Sequence, residues 1–274
     1  MREPEAIGSA LKRRAIDVLG AVGLARPLYE ARRRIRLGRI RDGEPGEVDG
    51  LPVPPPRLRF YAGDNADLGD FIEGGRKTAA MIAARVRAAG VGLESLEAIL
   101  DFGCGCGRVA RHWAGLEGPR LCGCDYNPEL VEWCRRNLPF LEARRNELEP
   151  PLPYREASFD LVYGISVLTH LPVELQRAWV AELRRLLRPG GLLLLTLHGD
   201  RHAAAYLRGG ELRAYEAGEP VVIHGPLAGT NGCAAFHPPS WVRGELLGDL
   251  DQLAFAPSEQ VPEVGQDLYL ARVA

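Results

Sequence analysis

One stretch constrains the fold more than any other: Ile99-Leu100-Asp101-Phe102-Gly103-Cys104-Gly105-Cys106-Gly107-Arg108. An apolar, extended-looking run leads into three alternate glycines. Glycine lets backbone turn sharply and approach a ligand where a side chain would collide. A second run of the same kind, Leu121-Cys122-Gly123-Cys124-Asp125, ends in a carboxylate 22 residues after Gly103. In doubly wound sheets an acid at that place accepts hydrogen bonds from the ribose hydroxyls of a bound adenosine. Loop, helix, strand and terminal acid in this order point to an α/β domain that binds an adenosine-containing ligand.

The rest of the chain alternates accordingly. Strands are expected at Ala98–Phe102, Arg120–Cys124, Phe140–Arg144, Phe159–Ile165, Gly191–His198, Leu253–Pro257 and Leu268–Val273. Helices are expected to begin at Arg108–Trp113, to run over Glu129–Asn137 behind Asn127 and Pro128, and to cover Pro172–Leu187. Alternation of this kind gives a mostly parallel sheet covered on both faces. Before the glycine loop, Phe71, Ile72, Ala79, Ile82, Ala83 and Val86 mark a helix from Asp67 to Gly90. Residues 43–57, rich in Gly and Pro, read as a linker without regular pairing. The organisation expected is a basic helical extension and linker over 1–57 and one domain over 58–274, with 199–240 as an insert.

The 274 residues are 46% hydrophobic, which supplies a full core and excludes disorder over most of the chain. No apolar run reaches the roughly 18 residues of a spanning helix. The N-terminus also lacks the order of a secretory signal, so a cytoplasmic protein is expected. Net charge is -2, but residues 1–42 hold eleven Lys or Arg against five Asp or Glu, leaving +6 there and -8 elsewhere. Within that segment Ile7, Leu11, Ala15, Val18 and Leu19 recur at helical spacing, and Leu28, Ile35 and Leu37 follow among Arg32, Arg33, Arg34 and Arg36. Two readings stand side by side: a basic amphipathic helix on an anionic membrane or polyanionic protein partner, and a solvated basic helix that packs on the domain or dimerises. The acidic remainder disfavours a nucleic-acid footprint.

Several nucleotide chemistries drop out. A dinucleotide loop favours G-x-G-x-x-G, and here Arg108 stands where that pattern wants glycine. The two lysines, Lys12 and Lys77, both precede the loop, so a Tyr-x-x-x-Lys dehydrogenase pair is absent; so is G-x-x-x-x-G-K-[ST]. Six cysteines include two Cys-Gly-Cys pairs, tighter than the usual zinc spacing, and a His198, His202 and His237 set lacks a regular spacing; no metal is expected.

At this point the chain, from about Phe60 to Ala274, resembles a class I S-adenosylmethionine-dependent methyltransferase. Asp101 through Gly107 is similar to that family's acidic-x-G-x-G-x-G loop, and Asp125 to its ribose-binding acid. Ser158-Phe159-Asp160-Leu161-Val162 with Ser166-Val167-Leu168-Thr169-His170-Leu171 resembles its fourth strand and following turn. Leu186-Leu187-Arg188-Pro189-Gly190-Gly191 resembles the approach to its fifth. The resemblance implies a Rossmann-like, doubly wound, seven-stranded, mostly parallel sheet with S-adenosyl-L-methionine as cofactor. Asp101 would engage the methionyl amine, and Gly103, Cys104, Gly105 and Gly107 would form the bend. Asp125 would bind the ribose, Tyr126 and Asn146 would flank the adenine, and Ile165 and Ser166 would border the methionine.

Methyl transfer from a sulfonium is an in-line displacement in which the protein supplies position and, for a protonated acceptor, a base. His170 and His198 are the candidate bases, with cofactor-wall and capping roles as the alternatives. Tyr61, Asn231 and His237 are candidate acceptor contacts, the last two in the 199–240 segment. Gly164-Ile165-Ser166-Val167 lacks the Asn/Asp-Pro-Pro-aromatic pattern of amino-methylases acting on adenine or glutamine amides, and no Pro-Cys nucleophile occurs. The expected reaction methylates an oxygen or nitrogen of a small molecule, a sugar or secondary metabolite being favoured. A non-catalytic nucleoside-binding module docked by its basic arm, or an NAD(P)-dependent oxidoreductase, is the alternative.

Overall fold

The structure is a computed structural model describing residues 16, 18–41, 43, 46–63 and 65–274. Seven strands build the central sheet: β1 (Ala98–Phe102), β2 (Arg120–Asp125), β3 (Leu141–Arg145), β4 (Phe159–Ile165), β5 (Leu187–Leu197), β6 (Asp251–Ala256) and β7 (Asp267–Arg272). Their order across the sheet is β6-β7-β5-β4-β1-β2-β3. The first five run parallel, and β7 is antiparallel to both β5 and β6. The strand order reverses between β1 and β4, which opens a crevice at their carboxyl ends, where such sheets bind ligands.

Burial on both faces explains the near-continuous apolar strands. Along β1, Ala98, Leu100 and Phe102 pack into one core with Phe159, Trp179 and Leu183, while Ile99 packs into the other with Ile82, Trp113, Val131 and Tyr163. The helix Leu68–Ala88 is capped by the Asp67 carboxylate, which accepts the Asp70 amide at 2.8 Å. Pro128–Asn137 is capped by Asn127, whose side chain accepts the Glu129 amide. Both caps follow from sequence.

Two local expectations are corrected. The segment after the glycine loop is not an α-helix beginning at Arg108 but one tight helical turn, Ala110–Trp113. The linker does hold regular pairing: Glu47–Val48 pairs antiparallel with Leu51–Pro52. The turn between them, Asp49 and Gly50, has φ of 56° and 73°, the geometry a two-residue hairpin requires. Arg111 fixes that hairpin by donating to the carbonyls of Pro52 at 3.1 Å and Val48 at 2.9 Å.

In the basic segment, Ala25–Leu37 is helical. Ile7, Leu11 and Ala15, expected in an earlier helical stretch, lie outside the described residues. Between β5 and β6 the chain forms two short helices, Asp200–Tyr206 and Gly209–Glu216, and a ladder of Val221–Ile223 with Ala234–Phe236. These share a small core of Ala203, Leu207, Tyr215, Ile223 and Phe236. The Ala25–Leu37 helix seats Ala25 and Tyr29 against Leu227 and Cys233 of this excursion.

Candidate active site

A cavity of about 830 Å³ opens at the reversal point between β1 and β4, a size suited to a cofactor-like ligand. Its floor is the glycine bend. Gly103, Gly105 and Gly107 have φ of 80°, 55° and 76°, a region that side chains disfavour. A Cβ on Gly103 would stand 2.3 Å from Val167 Cγ2, and one on Gly107 would stand 2.3 Å from Leu138 Cδ1. Glycine is therefore required both for the turn and for close packing beneath it.

The bend and the acid form one unit. Asp125 Oδ2 accepts the Gly105 amide at 2.9 Å, and Oδ1 accepts the Asn127 amide at 2.8 Å. Burial raises the Asp125 carboxyl pKa above its ordinary value, and these two donated amides oppose the rise. Gly103, Gly105, Asp125 and Tyr126 line the cavity together. Asn146 joins them; its amide nitrogen donates to the Glu147 carbonyl at 2.7 Å, and its buried Oδ1 has no partner.

Asp101 lies behind this wall. Burial raises its carboxyl to about 7, against the pull of the nearby Tyr163 hydroxyl and the Arg108 guanidinium. Its Oδ2 has no hydrogen-bond partner. Arg108 itself lines the cavity. Within the bend, Cys104 is buried and Gly107 is turned toward Leu138 and Cys134, and neither lines the cavity. All six cysteines are buried and free, and among the described residues no group of His, Cys, Asp and Glu side chains is placed to hold a metal.

At the end of β4, Ser166 has φ 60°, a strained value for serine. A polar network holds it: its hydroxyl lies 3.0 Å from that of Thr169 and accepts Gln266 Nε2 at 2.7 Å. Thr196 Oγ1 in turn donates to Gln266 Oε1 at 2.8 Å. Ile165, Ser166 and Gln266 line the cavity. Gln266 carried no signal in sequence, because it reaches Ser166 across 100 residues.

The candidate histidines separate. His170 lines the cavity, and its Nδ1 lies 2.9 Å from the Cys233 carbonyl. A carbonyl accepts only, so a neutral ring carries its proton on Nδ1 and its lone pair on Nε2. His198 lies outside the cavity wall, stacked on His202 at 4.3 Å. Burial and the neighbouring imidazoles hold its pKa well below the ordinary value. His237 is also outside, fully buried, with Nε2 2.9 Å from Gln176 Oε1; burial lowers it to about 4. Tyr61 and Asn231 both line the cavity.

A further contribution comes from the basic segment. Arg26 donates to the Tyr126 hydroxyl and lies over that ring, 5.3 Å from its centroid. Arg33 stacks on Tyr61 at 4.1 Å and donates to its carbonyl at 3.3 Å. Arg26, Glu30 and Arg33 thus complete the cavity roof. The run of arginines was visible in the sequence, but not that one face of it lines the cavity.

These features fit S-adenosylmethionine as the ligand: bare backbone at the bend, an acid beside it, and acceptor atoms on Asp101 and Asn146 left without partners. Comparison with known proteins agrees. Residues 100–195 match the family described as "Methyltransferase domain". Over 99 residues the chain is 37% identical to a probable S-adenosylmethionine-dependent methyltransferase of Mycolicibacterium smegmatis, covering 36% of this chain and 37% of that protein. The aligned regions span 28% to 45% of the length of the curated relatives. Among solved structures, a methyltransferase from Methanosarcina mazei superposes with a TM-score of 0.52 at 21% identity, over 68% of this chain and 96% of that one. An amino pentose methyltransferase from Micromonospora echinaspora gives 0.52 at 18% identity, over 73% and 92%. Residues 100–195 thus carry the likeness to methyltransferase domains, and the sheet built around them has the fold of solved S-adenosylmethionine-dependent methyltransferases.

Proposed function

We propose that the protein transfers a methyl group from S-adenosylmethionine to an oxygen or nitrogen of a small molecule, a sugar or secondary metabolite being the favoured acceptor. The observation that carries this reading is the shared unit of Gly105 and Asp125 at the floor of the cavity. Bound there, the cofactor supplies an electrophilic methyl group. Asp125 accepts hydrogen bonds from the ribose hydroxyls while the Gly105 and Asn127 amides hold it aimed. Asn146 Oδ1 accepts from the adenine amine. Asp101 serves the methionyl amine through the polar ground next to Arg108.

On the acceptor side, His170 takes the proton that an alcohol or ammonium must lose, at Nε2, with the Cys233 carbonyl holding the tautomer. Tyr61 and Asn231 border the same space. The Micromonospora amino pentose enzyme and the glycopeptide N-methyltransferase among the structural neighbours are compatible with acceptors of this class.

A dinucleotide is disfavoured because the bend does not open into a helix that would present free amides to a pyrophosphate. Calorimetric titration with S-adenosylhomocysteine and with NAD tests the cofactor. Labelled S-adenosylmethionine with fractionated small-molecule extract then tests transfer. Binding of NAD in preference to S-adenosylhomocysteine, or label remaining on the cofactor with every fraction, would overturn the reading.

A further inference from the structure

The helix Ala25–Leu37 has two faces of different use. Arg26, Glu30, Arg33 and Leu37 recur on the face turned to the cavity and the domain. On the opposite side Leu24, Leu28, Ala31 and Ile35 recur at spacings of four, three and four residues, one stripe of a helix surface. Leu24 is 55% exposed, Leu28 49% and Ile35 63%. Val18 and Val22, just upstream, are 66% and 63% exposed. Of the six large hydrophobic side chains that stand exposed among the described residues, these are five. Arg32 and Arg34 flank the stripe on its two sides, and Arg39 extends the basic border beyond the helix end.

We infer that this outer face docks the protein on an anionic lipid bilayer. The stripe is a convex ridge of aliphatic residues bordered by arginines. That form suits the boundary between headgroups and acyl chains: the ridge sinks into the boundary and the guanidiniums reach up to lipid phosphates. Charge selects the lipid and the orientation. Residues 1–42 carry +6 and the remainder -8, so an anionic surface attracts the arm and repels the body. A second copy of the chain is a poorer occupant, because pairing the ridges would set one row of arginines against another. No described helix is long and apolar enough to cross a bilayer, so the contact is interfacial. Because the inner face of the same helix roofs the cavity, docking holds that opening beside the membrane surface. None of this depends on the transfer reaction.

Sedimentation of the full chain with phosphatidylcholine vesicles, with and without phosphatidylglycerol, tests the inference. The protein should pellet with the anionic vesicles only, and less as salt is raised. Leu28→Asp with Ile35→Asp should lower partitioning about tenfold or more by placing charge on the ridge. Arg32→Ala with Arg39→Ala should lower it about fivefold or more. Circular dichroism and thermal melting like those of the parent establish that both variants fold. Failure to bind anionic vesicles overturns the inference. So does binding indifferent to the Asp pair, or sedimentation velocity showing a dimer that this pair dissociates.

Discussion

Asp125 Oδ2 accepts the Gly105 amide at 2.9 Å, so the acid at the tip of β2 and the bend at the tip of β1 hold one another in place. Replacing Asp125 removes the ribose partner and the brace on the bend together. Hydrogen bonds to charged groups contribute about 1.5–3 kcal/mol each. Asp125→Ala should therefore weaken S-adenosylhomocysteine binding by about a hundredfold or more in calorimetric titration, and Asp125→Asn by less. Unchanged affinity in Asp125→Ala would place the nucleoside elsewhere.

Gly103 and Val167 make a tight steric pair in the site. With φ at 80° and Val167 Cγ2 only 2.3 Å from any added Cβ, Gly103→Ala combines backbone strain with overpacking. A loss of about 2–4 kcal/mol in urea unfolding is expected. Adding Val167→Ala should recover part of it, since the clash goes and the strain stays. A double-mutant cycle that comes out additive would contradict this account.

Such pairs also mark what the sequence discloses. The strand–bend–strand–acid order, the cap at Asn127, and six of the seven strands were legible within a residue or two, because each rests on local chemistry or period; β5 begins at Leu187, four residues before the expected Gly191, because its first residues continue straight out of the preceding helix. The turn after Gly107 was not: its residues suit a helix, and only packing under the Leu68–Ala88 helix and the hairpin shortens it. The hairpin itself carried a signal in Asp49-Gly50 that the surrounding prolines obscured. Histidines proved the least legible. His170, His198 and His237 look alike in sequence, yet one lines the cavity and two are packed away from it. Gln266 and the roof arginines reach the site only through the folded topology.

Asp101 makes stability depend on pH. Its carboxyl titrates near 7 in the folded protein against an ordinary value of 3.8. Between those values the folded state holds more protons than the unfolded chain, so stability falls as pH rises across that window. Asp101→Asn, which has no charge to bury, should flatten this stretch of the curve and be the more stable protein above about pH 7. Urea midpoints taken across the window for both proteins measure the slope. A parent whose stability climbs through it would refute the assignment.

His170 should separate binding from transfer. The Cys233 carbonyl fixes its Nδ1 proton, so the base function resides in Nε2. His170→Gln keeps polarity and removes the basic nitrogen. Loss of general base catalysis costs about 10²–10⁴ in rate. Once an acceptor has been found, kcat should fall by that order while the cofactor Kd moves little. A matching fall in affinity would instead make His170 a wall of the cofactor pocket.

Arg26 on Tyr126 links the N-terminal helix to cofactor retention. The guanidinium both donates to the Tyr126 hydroxyl and covers the ring beside the proposed adenine position. A cation–π contact of this kind contributes about 0.5–2 kcal/mol, and a hydrogen bond about as much again. Arg26→Ala should therefore speed S-adenosylhomocysteine dissociation by about tenfold in stopped-flow chase experiments, with a smaller effect on association, because the roof loosens while the floor of Gly105 and Asp125 remains. Tyr126→Ala should have a similar effect, and the double variant should be no worse than either alone. Deleting residues 1–41 should reproduce the fast dissociation. A truncated protein that retained the cofactor as long as the full chain would show that the helix only rests on the site and takes no part in closing it.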